Sequence, residues 1–110
     1  MDKPLEGIRV IAIEQFGAGP YGSMYLAELG ADVIKVENRA TGGDPSRQSG
    51  AVTLADDDSA YFQAFNLSKR SVTVNLKSTE GRAIFEDLVR TADVVWNNLR
   101  GSQPAKLGLD

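Results

Sequence analysis

The chain has 110 residues, 42% of them apolar, and twelve Lys and Arg against fifteen Asp and Glu give a net charge of −3. That suffices for one domain burying roughly 60 to 70% of its unfolded surface, so a disordered chain is excluded, and the acidic balance offers no electrostatic grip on nucleic acid or anionic lipid. With neither Cys nor His, there is no disulfide, no Cys-ligated metal and no imidazole base; carboxylates, Lys, Tyr, hydroxyls and backbone amides remain for any chemistry.

At the N-terminus, Met1-Asp2-Lys3-Pro4 lacks the apolar run of a signal peptide. No stretch approaches the roughly 18 to 20 apolar residues that span a bilayer, and the chain reads as cytoplasmic, without membrane contact. Residues 8–13 form a short β-branched run with one charge, the pattern of a strand buried on both faces of a parallel sheet. Gly17-Ala18-Gly19-Pro20 then permits a tight turn, and Pro20 suits the first position of a helix over residues 20–29. On that helix Met24, Leu26, Ala27 and Leu29 supply the apolar side, and Gly30 ends it. Residues 32–36 read as a second strand, completing a β-α-β unit with a right-handed crossover.

From residue 38 to 58 the composition shifts to Gly, Ser, Thr, Asp and Pro. This is a long loop, and loops of that length in compact domains are usually functional or mobile. Ser59 is a candidate cap for a short helix carrying Tyr61, Phe62 and Phe65 toward the core. Residues 71–76 alternate like a strand, and Ser78-Thr79-Glu80 opens an amphipathic helix bearing Ile84, Phe85, Leu88 and Val89. Residues 93–96 close the series as a strand. The order implies an α/β fold, a Rossmann-like parallel sheet with flanking helices. Residues 106–110 bring neither a further strand nor a terminal helix. Four short strands would leave an edge and a bare face, so the chain reads as an incomplete domain.

The stretch Gly17-Ala18-Gly19-Pro20-Tyr21-Gly22 satisfies the dinucleotide fingerprint, with Glu37 at the end of the next strand as a ribose ligand. Against that reading, Glu14, Gln15 and Phe16 separate the first Gly from the strand, where the fingerprint needs it directly adjacent. A turn against some other nucleotide-like ligand fits better. The Asp56-Asp57-Asp58 run lacks the alternating spacing and terminal Glu of a calcium loop, so it reads as a solvated turn and not a metal site. Trp96 reads as core and Lys69-Arg70 as ordinary surface charges or as structural or dimer contacts.

Several separated segments resemble class III (CaiB/BaiF) CoA-transferases together: Pro4-Leu5-Glu6-Gly7-Ile8-Arg9-Val10, Ala18-Gly19-Pro20, Leu29-Gly30-Ala31-Asp32-Val33-Ile34-Lys35-Val36-Glu37, Gly43-Asp44-Pro45, Lys69-Arg70-Ser71, Asn75-Leu76-Lys77, Glu80-Gly81-Arg82 and Ala92-Asp93-Val94-Val95. The resemblance runs the length of the chain in order and spacing. It implies that residues 1–110 are the N-terminal part of a CoA-transferase large domain, in a protein whose two ring-shaped chains interlock as a homodimer. It further implies transfer of CoA from an acyl-CoA donor to a carboxylic acid acceptor through adducts of an Asp beyond this stretch. No catalytic residue is therefore expected here, and the chain alone is expected to be inactive. CoA or acyl-CoA is the substrate, with no permanently bound cofactor. An acyl-CoA racemase of the same family, or an NAD- or FAD-binding module, remain the alternatives.

The same resemblance implies the CoA contacts. Phe16, Gly17 and Ala18 form the turn where CoA packs. Asn38 stands where the family usually has an Arg, with Arg39 beside it, so the cation has either shifted one place or that contact is weakened. Val74, Asn75, Leu76 and Lys77 line the adenine and pantetheine path, with Lys77 as a point charge for phosphate. Asn98, Leu99 and Arg100 match a loop that normally has an aromatic in place of Leu99, and Lys106 falls where Arg is frequent.

Overall fold

The computed structural model describes residues 2–108. Met1, Leu109 and Asp110 lie outside it, and with them those parts of the readings of the two termini. The core is a four-stranded parallel sheet of β1 (Arg9–Ile13), β2 (Asp32–Glu37), β5 (Arg70–Thr73) and β6 (Val94–Asn97), in the order β5-β2-β1-β6. The chain therefore builds outward from β1 through β2 to β5, then crosses the whole sheet to lay β6 on the other side of β1. That reversal opens a crevice between the β1 and β6 ends, the usual ligand position in such sheets.

The central strands are buried on both faces, as their continuous apolar runs imply. Ile11, Ile13, Ile34, Val36 and Val74 pack under Phe85, which α3 (Thr79–Arg90) carries. Val10, Ala12 and Val33 pack on the opposite face under Ala27 and Ala31, flanked by Trp96. Helix α1 (Ala18–Glu28) covers this second face. It begins two residues before Pro20, which still falls in the first turn, where a missing N–H costs no hydrogen bond. Its buried residues are Gly19, Pro20, Ser23 and Ala27, small side chains that bring the helix close to the sheet. The expected apolar side is a poorer description, since Leu29 is exposed. On α3, Ile84 likewise turns to solvent and Phe85 takes the core position.

Segment 38–58, read as one loop, carries two 3₁₀ turns, Arg39–Thr41 and Pro45–Gln48, and a hairpin of β3 (Thr53–Ala55) and β4 (Asp58–Ser59). Asp56 and Asp57 form the hairpin's exposed tip. Asn38 and Asp44 cap the two 3₁₀ turns through their side-chain oxygens, the local chemistry that Asx residues offer. Ser59 caps α2 (Ala60–Phe65), its Oγ accepting the Phe62 amide at 3.0 Å. Strand β5 is shorter than the alternation over residues 71–76 suggests. Val74 to Lys77 form the turn beyond it, where Asn75 Oδ1 accepts the Lys77 amide at 3.0 Å. A one-turn helix, α4 (Gln103–Lys106), has Pro104 in its first turn; no helix was expected there.

At the opposite end of the sheet, Asp32 receives Arg9 Nε at 2.9 Å and Arg70 Nη2 at 2.7 Å. Asp93 Oδ2 accepts the Arg9 amide at 2.9 Å. These contacts tie all four strand beginnings together. Arg70, which the sequence allows as a surface charge or as a structural or dimer contact, belongs to this clamp. Among the described residues no helix is long and apolar enough to cross a membrane.

Candidate functional site

Two adjoining clefts open at the C-terminal ends of the parallel strands. The first, about 790 Å³, is bordered by Phe16, Gly17 and Ala18 on one side and by Asn98 and Arg100 on the other. The second, about 450 Å³, runs past Asn38 and Val74 to Lys77. Gln15 and Gln103 border both, so the two form one groove. Three stretches far apart in sequence, 16–18, 74–77 and the pair Asn98 and Arg100, thus border one groove because each follows the C-terminal end of a strand in the same parallel sheet.

Of the residues singled out from the sequence, three border neither cleft. Leu99 packs against the core cluster under α3. Arg39 opens a 3₁₀ turn and Lys106 ends α4, both exposed. Among the described residues, Arg39, Lys77, Arg100 and Lys106 make no ion pair. They leave unneutralised positive charge around the groove of an otherwise acidic chain. Gln15 and Gln103 were missed. Gln15 belongs to the trio that separates β1 from the first Gly, which was weighed only as an obstacle to a fingerprint.

The glycines of that fingerprint serve packing. A Cβ on Gly19 would lie 2.6 Å from Asn98 Cγ, and one on Gly22 would lie 2.6 Å from Trp96 Cζ2. Their absence of side chain lets the end of β6 lie flush on α1, where Trp96 Nε1 donates to the Gly19 carbonyl at 3.0 Å. Asn98 is then positioned to clasp Gln15, accepting its amide at 3.2 Å and donating Nδ2 to its carbonyl at 3.0 Å. Gly17 caps α1 without any side-chain oxygen, so the first-turn amides carry their partial positive charge to the groove rim with no acidic residue in that turn.

Glu37 does not present itself to a ribose. Arg47 holds it with a two-pronged contact, Nε to Oε1 at 2.9 Å and Nη2 to Oε2 at 2.8 Å. The Asp44 amide adds a donor at 2.7 Å and Ser71 Oγ a further one. Burial alone would raise its pKa. The Arg47 guanidinium, the Ser71 hydroxyl and the Asp44 amide outweigh that and bring it down from 4.5 to about 2. Arg47 is itself stacked 3.9 Å from the centre of the Phe62 ring, so Glu37 knits the 38–48 segment to β2 and α2.

Behind the first turn lies an enclosed set of charges. Lys35 is 1% exposed; its Nζ stands 2.7 Å from Asp44 Oδ2 and 3.7 Å from Glu14 Oε1, and donates to Asn66 Oδ1 at 3.0 Å. The Asp44 contact is an ion pair without hydrogen-bond alignment, so Oδ2 has a neighbouring charge but no directed donor. Glu14 also receives Lys69 Nζ at 2.7 Å and Ser23 Oγ at 2.8 Å. Lys69 in turn donates to the carbonyls of Pro20 and Phe65. Desolvation lowers the Lys69 pKa to about 8, against the pull of Glu14 in the other direction. Lys69 is therefore a buried structural cation, one of the roles that its sequence position leaves open. The available signal was Lys35, a charge interrupting the run Val33-Ile34-Lys35-Val36 in a strand buried on both faces; such a Lys must meet carboxylates inside.

The family model described as CoA-transferase family III matches residues 5–110. Succinate–glutarate CoA-transferase of Agrobacterium fabrum is 49% identical over 112 residues, spanning 97% of this chain and 28% of that protein. A formyl-CoA:oxalate CoA-transferase of Streptomyces avermitilis is 41% identical over 108 residues, 98% of this chain and 26% of that one. The crystal structure of a CAIB/BAIF family protein from Brucella suis superposes with a TM-score of 0.87 at 39% identity, covering 100% of this chain and 29% of the other. The chain thus spans less than a third of the length of the proteins it matches.

Proposed function

Since the chain belongs to CoA-transferase family III, we propose that its groove holds the CoA part of an acyl-CoA, in an enzyme that moves CoA to a carboxylic acid. The observation that carries this reading is that residues 16–18, 74–77, Asn98 and Arg100 border one groove at the C-terminal ends of the parallel strands. Main chain forms much of the rim at Gly17 and Ala18, which suits close approach of an extended thioester arm. Lys77 and Arg100, unpaired at the rim, supply placed charge for phosphates, Arg100 with a planar fork and Lys77 as a point charge. Arg39 and Lys106 flank the groove and act at longer range.

On this reading residues 1–110 are the N-terminal segment of a longer large domain, and the partner chain of an interlocked homodimer lies against it. The Asp whose carboxylate carries the acyl and CoA adducts lies beyond residue 110. It attacks the thioester carbonyl and releases CoA thiolate, which attacks the Asp carbonyl of the anhydride, expels the donor's carboxylate and leaves CoA as a thioester on the Asp. The acceptor carboxylate then attacks that thioester, and the CoA thiolate it releases attacks the acceptor carbonyl of the second anhydride, giving the acceptor's CoA thioester and the free Asp carboxylate. Names of relatives point to small dicarboxylic acids as the acceptor class. The setting is the cytoplasm, and no cofactor stays bound between turnovers.

Equilibrium titration of the purified chain with CoA, NAD and FAD tests this proposal. CoA is expected to bind at least tenfold more tightly than either dinucleotide, because Glu37 is already spent on Arg47 and Ser71. The same preparation, mixed with an acyl-CoA and a dicarboxylate, is expected to give no transfer. Tighter binding of NAD or FAD, or CoA-dependent turnover by the 110 residues alone, would refute it.

A further inference from the structure

Phe16 has a left-handed backbone, φ 64°, in the turn that borders the groove. For an L-residue this conformation is disfavoured, and it persists only where the surroundings impose it. A single carboxylate reaches the Phe16 main chain. Asp44 Oδ1 accepts the Phe16 amide at 3.1 Å and the Ser46 amide at 2.9 Å. Its side chain is wholly enclosed, its second oxygen sits 2.7 Å from Lys35 Nζ, and its own amide is held by Glu37 Oε1 at 2.7 Å. Asp44 is thus fixed from three directions, its carboxylate by Lys35 of β2 and by the Ser46 amide of its own 3₁₀ turn, and its main chain by Glu37. From the opposite side Asn98 grips Gln15. The first turn hangs between these two clasps, one from the β2 loop and one from the β6 loop.

We propose that Asp44 is a positioning residue for CoA binding: through the Phe16 amide it holds the first turn in the left-handed form that gives the groove its rim. The inference rests on the reading of that groove as a CoA site. Asp44 touches no ligand itself. Its effect passes through backbone geometry, so a residue at position 16 that takes positive φ unaided makes Asp44 dispensable for binding.

The test compares Asp44→Ser with Asp44→Asn, alone and combined with Phe16→Gly, by titration with CoA and by hydrogen exchange at individual amides. Both Asp44 substitutions remove the charge beside Lys35 and keep a cap for the Ser46 amide. Only Asn keeps an acceptor long enough to reach Phe16. Asp44→Ser is expected to weaken CoA binding about tenfold relative to Asp44→Asn, and the gap is expected to shrink to about threefold or less with Gly at position 16. Equal affinities for Ser and Asn, or an undiminished gap in the Phe16→Gly background, would overturn the proposal.

Exchange in the wild type keeps the question decidable where Asp44→Ser does not fold. The Phe16 amide is expected to exchange at least ten times more slowly than the Gly17 amide beside it, and equal rates would overturn the Asp44 link. A protected Phe16 amide in a protein that binds no CoA would instead remove the CoA reading and leave the clasp standing.

Discussion

Replacing Lys35 by Met is expected to destabilise the fold by about 3–5 kcal/mol, the scale for stranding a buried charge by removing its partner. Methionine fills nearly the same space, so the loss arises from electrostatics and not from a cavity. Without the ammonium, Glu14 and Asp44 face the interior with fully enclosed side chains, and of these two carboxylates Lys69 reaches only Glu14. Ala12 of β1, which pairs with Lys35 of β2 and with Trp96 of β6, is too small to offer anything in return. Urea denaturation reads the effect as a lowered midpoint at unchanged slope. A loss under about 1 kcal/mol would mean that water reaches the cluster and that Lys35 is not the charge holding it together.

The second large effect is in acid. Glu37 has its folded pKa depressed from 4.5 to about 2. For a carboxylate the stabilisation is then fully present above pH 4.5 and is lost as pH falls through about 2, because the unfolded chain binds the proton first. The drop corresponds to roughly 3 kcal/mol. Denaturation at pH 6, 4.5, 3 and 2 compares the wild type with Glu37→Gln. Near pH 6 the wild type is expected to be the more stable by roughly that amount, and the two curves are expected to converge toward pH 2. Parallel curves would show that the Arg47 and Ser71 contacts do not hold the ionised form in solution. The same substitution loosens the Asp44 amide, so it is also expected to weaken CoA binding through the first turn.

The sheet was legible in the sequence because its signal is local. Runs such as Val10-Ile11-Ala12-Ile13 are apolar without alternation, and only a strand covered on both faces makes use of that. Helix α3 declared itself through Ser78 as cap, and α2 through Ser59. The short hairpin over β3 and β4 did not, since its exposed residues carry no hydrophobic pattern. The groove was legible in part, through resemblance and not through periodicity. Sequence placed Phe16, Asn75, Lys77 and Asn98 at its edge, yet gave no hint that Asn98 spends its amide on Gln15. The pairing of the charges behind the turn is invisible in the sequence for one physical reason. Glu14, Asp44 and Lys69 look like ordinary solvated residues until the fold brings them together; their pairing spans 55 positions from Glu14 to Lys69, a separation no local pattern reports. Lys35 alone was conspicuous, by sitting where a buried strand tolerates no lone cation.

The proposed CoA groove draws residues from three separate segments of the chain. Amide chemical-shift mapping of the ¹⁵N-labelled protein during titration with CoA measures this directly. The predicted result is that saturable shifts concentrate at Phe16 to Ala18, Val74 to Lys77 and Asn98 to Arg100, with little change at the Arg9, Asp32 and Arg70 clamp on the far end of the sheet. Shifts confined to one segment, or spread over the surface of α3 while the first turn stays silent, would contradict it.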